Sequence, residues 1–233
     1  ITLQQQINEL ENGQVEQAEY FTMWVHQIKT PIAALRLLLA EEEDERSQEM
    51  WEELFSIEQY VEMALQFSRL SAKSTDFVIG EVSLDKVVRE AIHKYARLFV
   101  RKKIKMELSS IDTQVLTDEK WLEFVIEQIL SNAIKYTAGG TISIYQKINV
   151  TDEKKEVKEL IIEDTGIGIA PEDLPRIFEK GYTGYNGHAD KRSTGIGLYL
   201  CRKIMRKLSH EITIESEIGV GTKVHLEMRS RDK

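Results

Sequence analysis

Two short glycine clusters are the residues of this chain whose types and spacing most directly suggest chemistry. The apolar run ELIIED leads into Asp164-Thr165-Gly166-Ile167-Gly168, which predicts a buried strand ending in a carboxylate, then a backbone free to adopt unusual dihedral angles. The second cluster, Thr194-Gly195-Ile196-Gly197, precedes an amphipathic helix, and a helix N-terminus after a glycine-rich turn offers unpaired N–H groups to phosphate. A nucleotide is the first candidate ligand, although a hairpin turn or a helix cap would explain either cluster alone.

A strongly amphipathic helix is predicted upstream, in WLEFVIEQILSNAIKYT. Its apolar face is formed by Leu122, Val125, Ile126, Ile129 and Ala133. Its polar side carries Gln128, Asn132, Lys135 and Tyr136. This stripe supplies amide oxygens for a hard cation, an ammonium group for phosphate and an aromatic ring for a base.

With these motifs in view, the chain resembles the bacterial sensor histidine kinases of two-component systems, whose ATP domain belongs to the superfamily of gyrase, Hsp90 and MutL. The motifs follow the family's order: Asn132-Ala-Ile-Lys-Tyr, Asp164-Thr-Gly-Ile-Gly-Ile, the Phe178 region, Thr194-Gly-Ile-Gly-Leu and Gly219-Val-Gly-Thr222. Together they span nearly all of residues 77–229. The segments IFEKGYTGYNG and STGIGLYLCRK look most like the intramembrane-sensing kinases of the bacitracin and antimicrobial-peptide resistance type.

Composition sets the broad class of the protein. A chain of 233 residues that is 42% hydrophobic suits one or two domains, and a net charge of −8 argues against a nucleic-acid partner. The single cysteine, Cys201, is predicted to be a buried structural thiol. The chain has no apolar run of about 18 residues and begins at Ile1 within a helical pattern. Together with the resemblance, this pattern implies the cytoplasmic portion of a bacterial inner-membrane protein, without its upstream sensor or membrane segment.

Residues 1–72 are predicted to form a helical hairpin. Heptad spacing links Phe21, Val25, Ile28, Ile32, Leu35 and Leu39 in the first helix, and Met50, Leu54, Ile57, Val61 and Ala64 in the second. A two-helix hairpin cannot bury such a seam alone, which favours a homodimeric four-helix bundle. The alternative is a hairpin that packs against its own C-terminal domain.

His26 follows Val25 on the first helix and therefore flanks the seam. Taken alone it would be an ordinary surface histidine, but His26-Gln-Ile-Lys-Thr-Pro31 resembles the family's phosphoacceptor box. The resemblance implies catalytic roles for His26, Gln27 and Thr30, with Thr30 positioning water for dephosphorylation of the partner regulator. Gln27 departs from the usual Glu or Asp, and an amide cannot act as a general base. Pro31 is predicted to bend the helix.

The predicted order is a dimerisation and histidine phosphotransfer domain (1–72), a linker (73–80) and a catalytic ATP-binding domain (81–233). In the last domain, Ser83 is predicted to cap a helix over residues 84–100. Strands are predicted at 103–108 and 114–116, with hairpins formed by TISIYQKINV and KEVKELIIED and by EITIESE and KVHLEMR. The predicted fold is an α helical hairpin followed by an α/β sandwich of the gyrase, Hsp90 and histidine kinase type.

The resemblance also implies ATP and magnesium as cofactors. Asp164 would accept the adenine amino group with help from Thr222, and Gly166 and Gly168 would let the backbone approach the ring. The other implied ATP ligands are Gln128, Asn132, Lys135, Tyr136, Lys180, Thr194, Gly195, Gly197 and Leu198, with Asn132 and Gln128 as the implied metal ligands. Residues 180–192 would form a mobile lid. Glu127, next to Gln128, lies about 100° round the helix and should not replace a catalytic glutamate.

The implied function is ATP-dependent autophosphorylation of His26, followed by phosphoryl transfer to an aspartate of a response regulator, with phosphatase activity toward that regulator. Two alternatives remain. A gyrase-like or Hsp90-like ATPase is disfavoured by Gln128 and by the His26 motif, because those ATPases carry a glutamate at the position of Gln128. A nucleotide-gated dimeric scaffold without kinase activity is motivated by Gln27.

Overall fold

The computed structural model describes residues 3–40, 44–71, 77–150, 156–184 and 194–228, and it divides into two compact units, 1–76 and 77–233. The described helices are α1 (Leu3–Ala40), α2 (Glu45–Ser71), α3 (Leu84–Lys94), α4 (Ala96–Arg101), α5 (Glu119–Tyr136) and α6 (Gly197–Lys207). The described strands are β1 (Gly80–Ser83), β2 (Lys105–Leu108), β3 (Gln114–Thr117), β4 (Thr141–Val150), β5 (Glu156–Asp164), β6 (Glu211–Glu217) and β7 (Gly221–Met228).

The first unit is a hairpin of α1 and α2. Its core contains Val25, Ile32, Leu54, Val61 and Leu65, with Ile28 and Leu39 packed against them. Three residues of the predicted seam are exposed and lie outside this core: Leu35, Met50 and Ile57 are 49%, 43% and 47% exposed. In a two-helix hairpin each helix covers only one flank of the apolar stripe on the other, so the residues on the second flank of each stripe stay exposed. Among the described helices, none combines the length and apolarity of a membrane-spanning segment.

The second unit is built on a five-stranded sheet in the order β2-β4-β5-β7-β6. Strand β2 pairs parallel with β4, and the other neighbours are antiparallel. Both predicted hairpins, β4–β5 and β6–β7, are therefore confirmed. Helix α5 packs against α3, α6 and β5, so one sheet face is covered by helices and its apolar residues are buried. This arrangement is the predicted α/β sandwich.

Two local predictions about the second unit are wrong. Residues 77–80, predicted as linker, belong to this unit. The Phe77 ring packs at a tilt against the Trp121 ring, the Val78 N–H donates to Asp118 Oδ2 at 2.7 Å, and β1 begins at Gly80. The helix predicted over 84–100 is interrupted at Tyr95, whose backbone leaves helical geometry. The Tyr95 ring is fully buried, so packing decides this break. The predicted N-cap is confirmed, because Ser83 Oγ accepts from the Lys86 N–H at 3.4 Å.

Candidate nucleotide and phosphoacceptor sites

Asp164 is the last residue of β5 and is only 9% exposed. Its Oδ1 accepts a hydrogen bond from the Gly166 N–H at 2.8 Å. Burial raises the pKa of the Asp164 carboxyl, while the backbone N–H groups of Gly166 and Thr222 act to lower this pKa. A buried acceptor held by backbone donors is suited to recognise a ligand amino group.

The first glycine cluster lies against the C-terminus of α5. The Ile167 N–H donates to the carbonyl oxygen of Tyr136 at 3.2 Å. A Cβ at Gly166 would lie 2.6 Å from that oxygen and 2.8 Å from Asp164 Oδ1, so a side chain there would displace both. Gly168 has φ +72°, which disfavours residues with a side chain. Gly166 thus allows the loop to approach the end of α5 closely, whereas Gly168 allows it to approach the backbone of Glu217 at the end of β6.

Thr222 lies opposite Asp164 in the β5–β7 ladder. Its hydroxyl lies 2.9 Å from Ser216 Oγ, which in turn accepts from the Ile169 N–H at 2.9 Å. A Cβ at Gly221 would overlap the carbonyl group of Asp164. Sequence reasoning missed Ser216, and it assigned no role to Gly221 although this glycine lies within the Gly219-Val-Gly-Thr222 motif. The alternation of EITIESE before that turn is the signal that could have placed Ser216 beside Thr222.

The residues of the predicted polar stripe of α5 differ in how far they are buried. Asn132, Lys135 and Tyr136 are half-buried, whereas Gln128 is only 5% exposed. The Lys135 ammonium lies 5.2 Å from the centroid of the Tyr136 ring. All five residues predicted for the apolar face are buried. Glu127 is also buried, and both of its carboxylate oxygens accept from Lys94 Nζ at 2.6 Å.

The second glycine cluster ends where α6 begins, at Gly197. Gly195 has φ +64°, and its carbonyl accepts from the Gly181 N–H at 2.9 Å. This bond joins the start of the predicted lid to the segment just after its end. Residues 185–192 of the lid lie outside the described part of the chain. Thr194 and Lys180 are exposed and Leu198 is half-buried. Cys201 in α6 is buried against α5, with its Sγ 4.0 Å from the Val125 carbonyl oxygen, and burial raises the pKa of the thiol.

His26 is exposed on α1 of the first unit, directly after the buried Val25. Gln27 is also exposed, so neither side chain is taken up by the hairpin core. The Thr30 hydroxyl donates to the backbone carbonyl oxygen of His26 at 3.3 Å. A missed feature is the ion pair between Lys29 and Glu62 at 2.8 Å, which links α1 to α2 one turn after His26. Pro31 lies inside α1, which continues to Ala40.

The predicted site residues therefore form three groups. Asp164, Gly166, Gly168 and Thr222 meet at the end of β5, next to Tyr136 at the end of α5. Gly195, Gly197 and Leu198 lie at the start of α6, which packs against α5. The residues His26, Gln27 and Thr30 belong to the first unit.

Comparison with known proteins identifies the family. The model described as "Histidine kinase-, DNA gyrase B-, and HSP90-like ATPase" matches residues 117–232. Sensor histidine kinase YxdK of Bacillus subtilis (strain 168) is 37% identical over 222 residues, which are 94% of this chain and 67% of YxdK. Sensor protein BceS of the same strain is 36% identical over 201 residues, covering 85% of this chain and 58% of BceS.

Solved structures share the fold. Full-length ShkA, crystallised in complex with AMPPNP, superposes with a TM-score of 0.62 at 21% identity, covering 90% of this chain and 45% of ShkA. The chain spans about two thirds of YxdK and 58% of BceS.

The relatives agree with the sequence interpretation. The predicted family and its antimicrobial-peptide resistance type are confirmed, and the gyrase-like ATPase is not favoured because the similar proteins are named sensor kinases. The matched domain is an ATP-binding domain. With named relatives along nearly its whole length, this chain belongs to the bacterial sensor histidine kinases.

Proposed function

We propose that this chain transfers the γ-phosphoryl group of ATP to His26 and that a response regulator then accepts it on an aspartate. The observation that carries this proposal is the exposed imidazole of His26, which stands beside a buried seam residue in a motif of the family. A neutral imidazole has a free lone pair near neutral pH and is a competent nucleophile toward phosphorus. A phosphoryl acceptor must be exposed, and His26 meets that requirement.

The nucleotide would occupy the second unit. Asp164 would accept the adenine amino group, and the Thr222 hydroxyl would assist from the paired strand. Lys135 would reach phosphate, and the N-terminus of α6 at Gly197 would offer N–H groups to the phosphates. The remaining proposed ATP ligands are Gln128, Tyr136, Gly166, Gly168, Lys180, Thr194, Gly195 and Leu198. Support comes from the buried acceptor at Asp164 and the glycine turn before α6.

Magnesium is the metal that the family implies, and the donor set of α5 fits it in part. The half-buried Asn132 would offer an amide oxygen, a hard donor of the kind Mg²⁺ accepts. Gln128, the second proposed ligand, is 5% exposed and would have to turn outward to reach the ion. When bound, the ion would neutralise charge on the phosphates.

The transfer itself is a substitution at the γ-phosphorus. The nitrogen–phosphorus bond forms as the bond from the γ-phosphorus to the bridging oxygen breaks, and ADP leaves with that oxygen. The ring proton of His26 must then be lost. Gln27 is an amide and cannot accept it, so it would orient the imidazole while water takes the proton.

The partners are proposed from the same chemistry. A response regulator would receive the phosphoryl group on the cytoplasmic side of the membrane, and Thr30 would position water for its later removal. Thr30→Ala should then slow loss of phosphate from the regulator while labelling of His26 continues. Equal loss of both activities would mean that Thr30 supports only the helix, consistent with its bond to the His26 carbonyl.

A homodimer is proposed because α1 and α2 expose apolar residues along the predicted seam. Leu35 and Ile57 are examples, and a second hairpin would cover them. In light scattering, Leu35→Asp should shift the chain toward its 26.9 kDa monomer. Leu37→Asp is the matched control, since Leu37 is exposed about 200° away on α1. A wild-type chain that is monomeric at micromolar concentration would contradict the proposal.

One experiment separates the proposed kinase from the alternatives. The chain is incubated with γ-labelled ATP, and the bound label is tested in acid and in alkali. A label that is lost in acid and retained in alkali is a phosphoramidate, and it should disappear in His26→Ala. Release of free phosphate without protein label would instead favour the ATPase, and nucleotide binding without label would favour the scaffold.

A further inference from the structure

Thr137 is the first residue after α5, and it is 1% exposed. Its methyl group faces Gly140: a Cβ on that glycine would lie 2.9 Å from Thr137 Cγ2. Its hydroxyl faces Gly166, where a Cβ would lie 3.0 Å from Thr137 Oγ1. Within the described residues this buried hydroxyl has no hydrogen-bond partner. An unpaired buried hydroxyl is unfavourable in the free protein, and a ligand that accepts a hydrogen bond from it would remove this cost.

The Thr137 hydroxyl and the carboxylate of Asp164, the proposed adenine acceptor, both face Gly166. The same point on Gly166 that is 3.0 Å from Thr137 Oγ1 is 2.8 Å from Asp164 Oδ1. Two polar groups from distant parts of the chain therefore flank the position where Gly166 has no side chain. Asp164 is an acceptor, and the threonine hydroxyl can donate. This donor and acceptor pair matches the edge of adenine, which carries an amino donor next to the N1 acceptor.

We propose that Thr137 is a specificity-determining residue of the nucleotide site, whose hydroxyl donates to adenine N1 directly or through one bridging water. This inference rests on the proposed binding of the adenine amino group by Asp164. Guanine would fit this pair poorly, because its carbonyl oxygen would face the Asp164 carboxylate. Thr137 would thereby supply the second polar contact that distinguishes the two purines.

The central test is Thr137→Val in the full chain, which removes the hydroxyl and keeps the shape. Calorimetry with a non-hydrolysable ATP analogue should show affinity about three- to tenfold weaker, the effect of losing one neutral hydrogen bond. The 1-deaza form of the same analogue has no N1 acceptor, so wild type and Thr137→Val should bind it equally. Thr137→Ser keeps the hydroxyl and should retain the preference for N1.

Thermal unfolding without nucleotide supplies an independent readout. Because the hydroxyl has no protein partner to lose, Thr137→Val should melt at the wild-type temperature or above it. A lower melting temperature, with equal loss of affinity for both analogues, would show a purely structural role and overturn the inference. Should Thr137→Val fail to fold, the same comparison of analogues is made between Thr137→Ser and Thr137→Ala, and equal N1 preference in these two would overturn it.

Asp164→Asn distinguishes this inference from the underlying proposal. If Asp164→Asn loses affinity while Thr137→Val binds as tightly as wild type, then the assignment of Thr137 is wrong and the adenine site stands. If Asp164→Asn also binds as wild type, the adenine site itself is misplaced, and the inference falls with it.

Discussion

Asp164 and Thr222 are paired residues of the antiparallel ladder between β5 and β7. The backbone N–H of Thr222 also acts on the Asp164 carboxylate and favours its charged form. Strand register therefore holds two proposed adenine ligands together, although they are far apart in sequence. Ligand binding and local stability can be tested separately at this pair.

The first prediction concerns the affinity of the nucleotide site. Asp164→Asn should weaken ATP binding about ten- to a hundredfold, the loss expected for a charge-assisted hydrogen bond. Glu163→Gln is the matched control, because Glu163 contacts the Tyr145 hydroxyl and Lys223 and is not a proposed ligand. Calorimetry on both variants measures the difference. Similar losses in the two would point to a general charge effect.

The second prediction is that Asp164→Asn stabilises the protein at neutral pH. Burial raises the pKa of the folded carboxyl above its ordinary 3.8, so ionised Asp164 costs stability above the folded pKa. That cost vanishes as the pH falls below 3.8, where the carboxyl is protonated in both folded and unfolded states. Urea unfolding should show an advantage of the variant that shrinks on acidification. An advantage that grows on acidification would contradict the raised pKa.

The third prediction compares Gly219, in the turn between β6 and β7, with Gly221, the first residue of β7. Gly219 and Gly221 both have positive φ, but a Cβ at Gly219 meets open space, whereas one at Gly221 would overlap the Asp164 backbone. Gly219→Ala should cost about 1–2 kcal/mol of unfolding free energy from backbone strain alone. Gly221→Ala should cost clearly more and should also weaken ATP binding. Denaturant titration and calorimetry test both statements, and equal costs would exclude the overlap.

The fourth prediction is that Glu127 stabilises the fold and does not activate water. Its buried carboxylate is paired with Lys94 of α3, so Glu127→Gln should lower the unfolding free energy by about 1–3 kcal/mol and leave His26 labelling nearly unchanged. Glu123→Gln should be neutral or stabilising, because burial and the neighbouring Glu127 raise the pKa of the Glu123 carboxyl. Loss of labelling in folded Glu127→Gln would assign this residue to the chemistry.

The fifth prediction concerns the proton of His26. Gln27→Glu should preserve or speed labelling, since a carboxylate can both orient the imidazole and accept its proton. Both side chains are exposed on α1, so the change should not disturb the hairpin core. The initial rate of acid-labile labelling is the measurement, with unfolding of the hairpin as the control. A large fall in that rate would mean that the amide itself is required.

Local sequence patterns were sufficient for much of this protein. The family motifs, the apolar face of α5, the cap at Ser83 and both sheet hairpins follow from residue type and spacing, because each depends on contacts within a few residues. The carboxylate at the end of β5 was predicted in the same way, since an apolar strand followed by glycines fixes where the chain must turn. Burial of Cys201 between apolar neighbours belongs to this group as well.

Only the tertiary structure decided which polar groups find partners. The pairing of Glu127 with Lys94 joins helices that are distant in sequence. The break at Tyr95 coincides with complete burial of its ring, and Ser216 reaches Thr222 only because β6 pairs with β7. Leu35 lies on α1 and Ile57 on α2, and their exposure depends on which flank of each helix is covered by the other helix. A heptad pattern does not determine that flank. The physical reason is common to these cases: spacing determines the face on which a side chain lies, whereas burial and hydrogen bonding depend on what packs against that face.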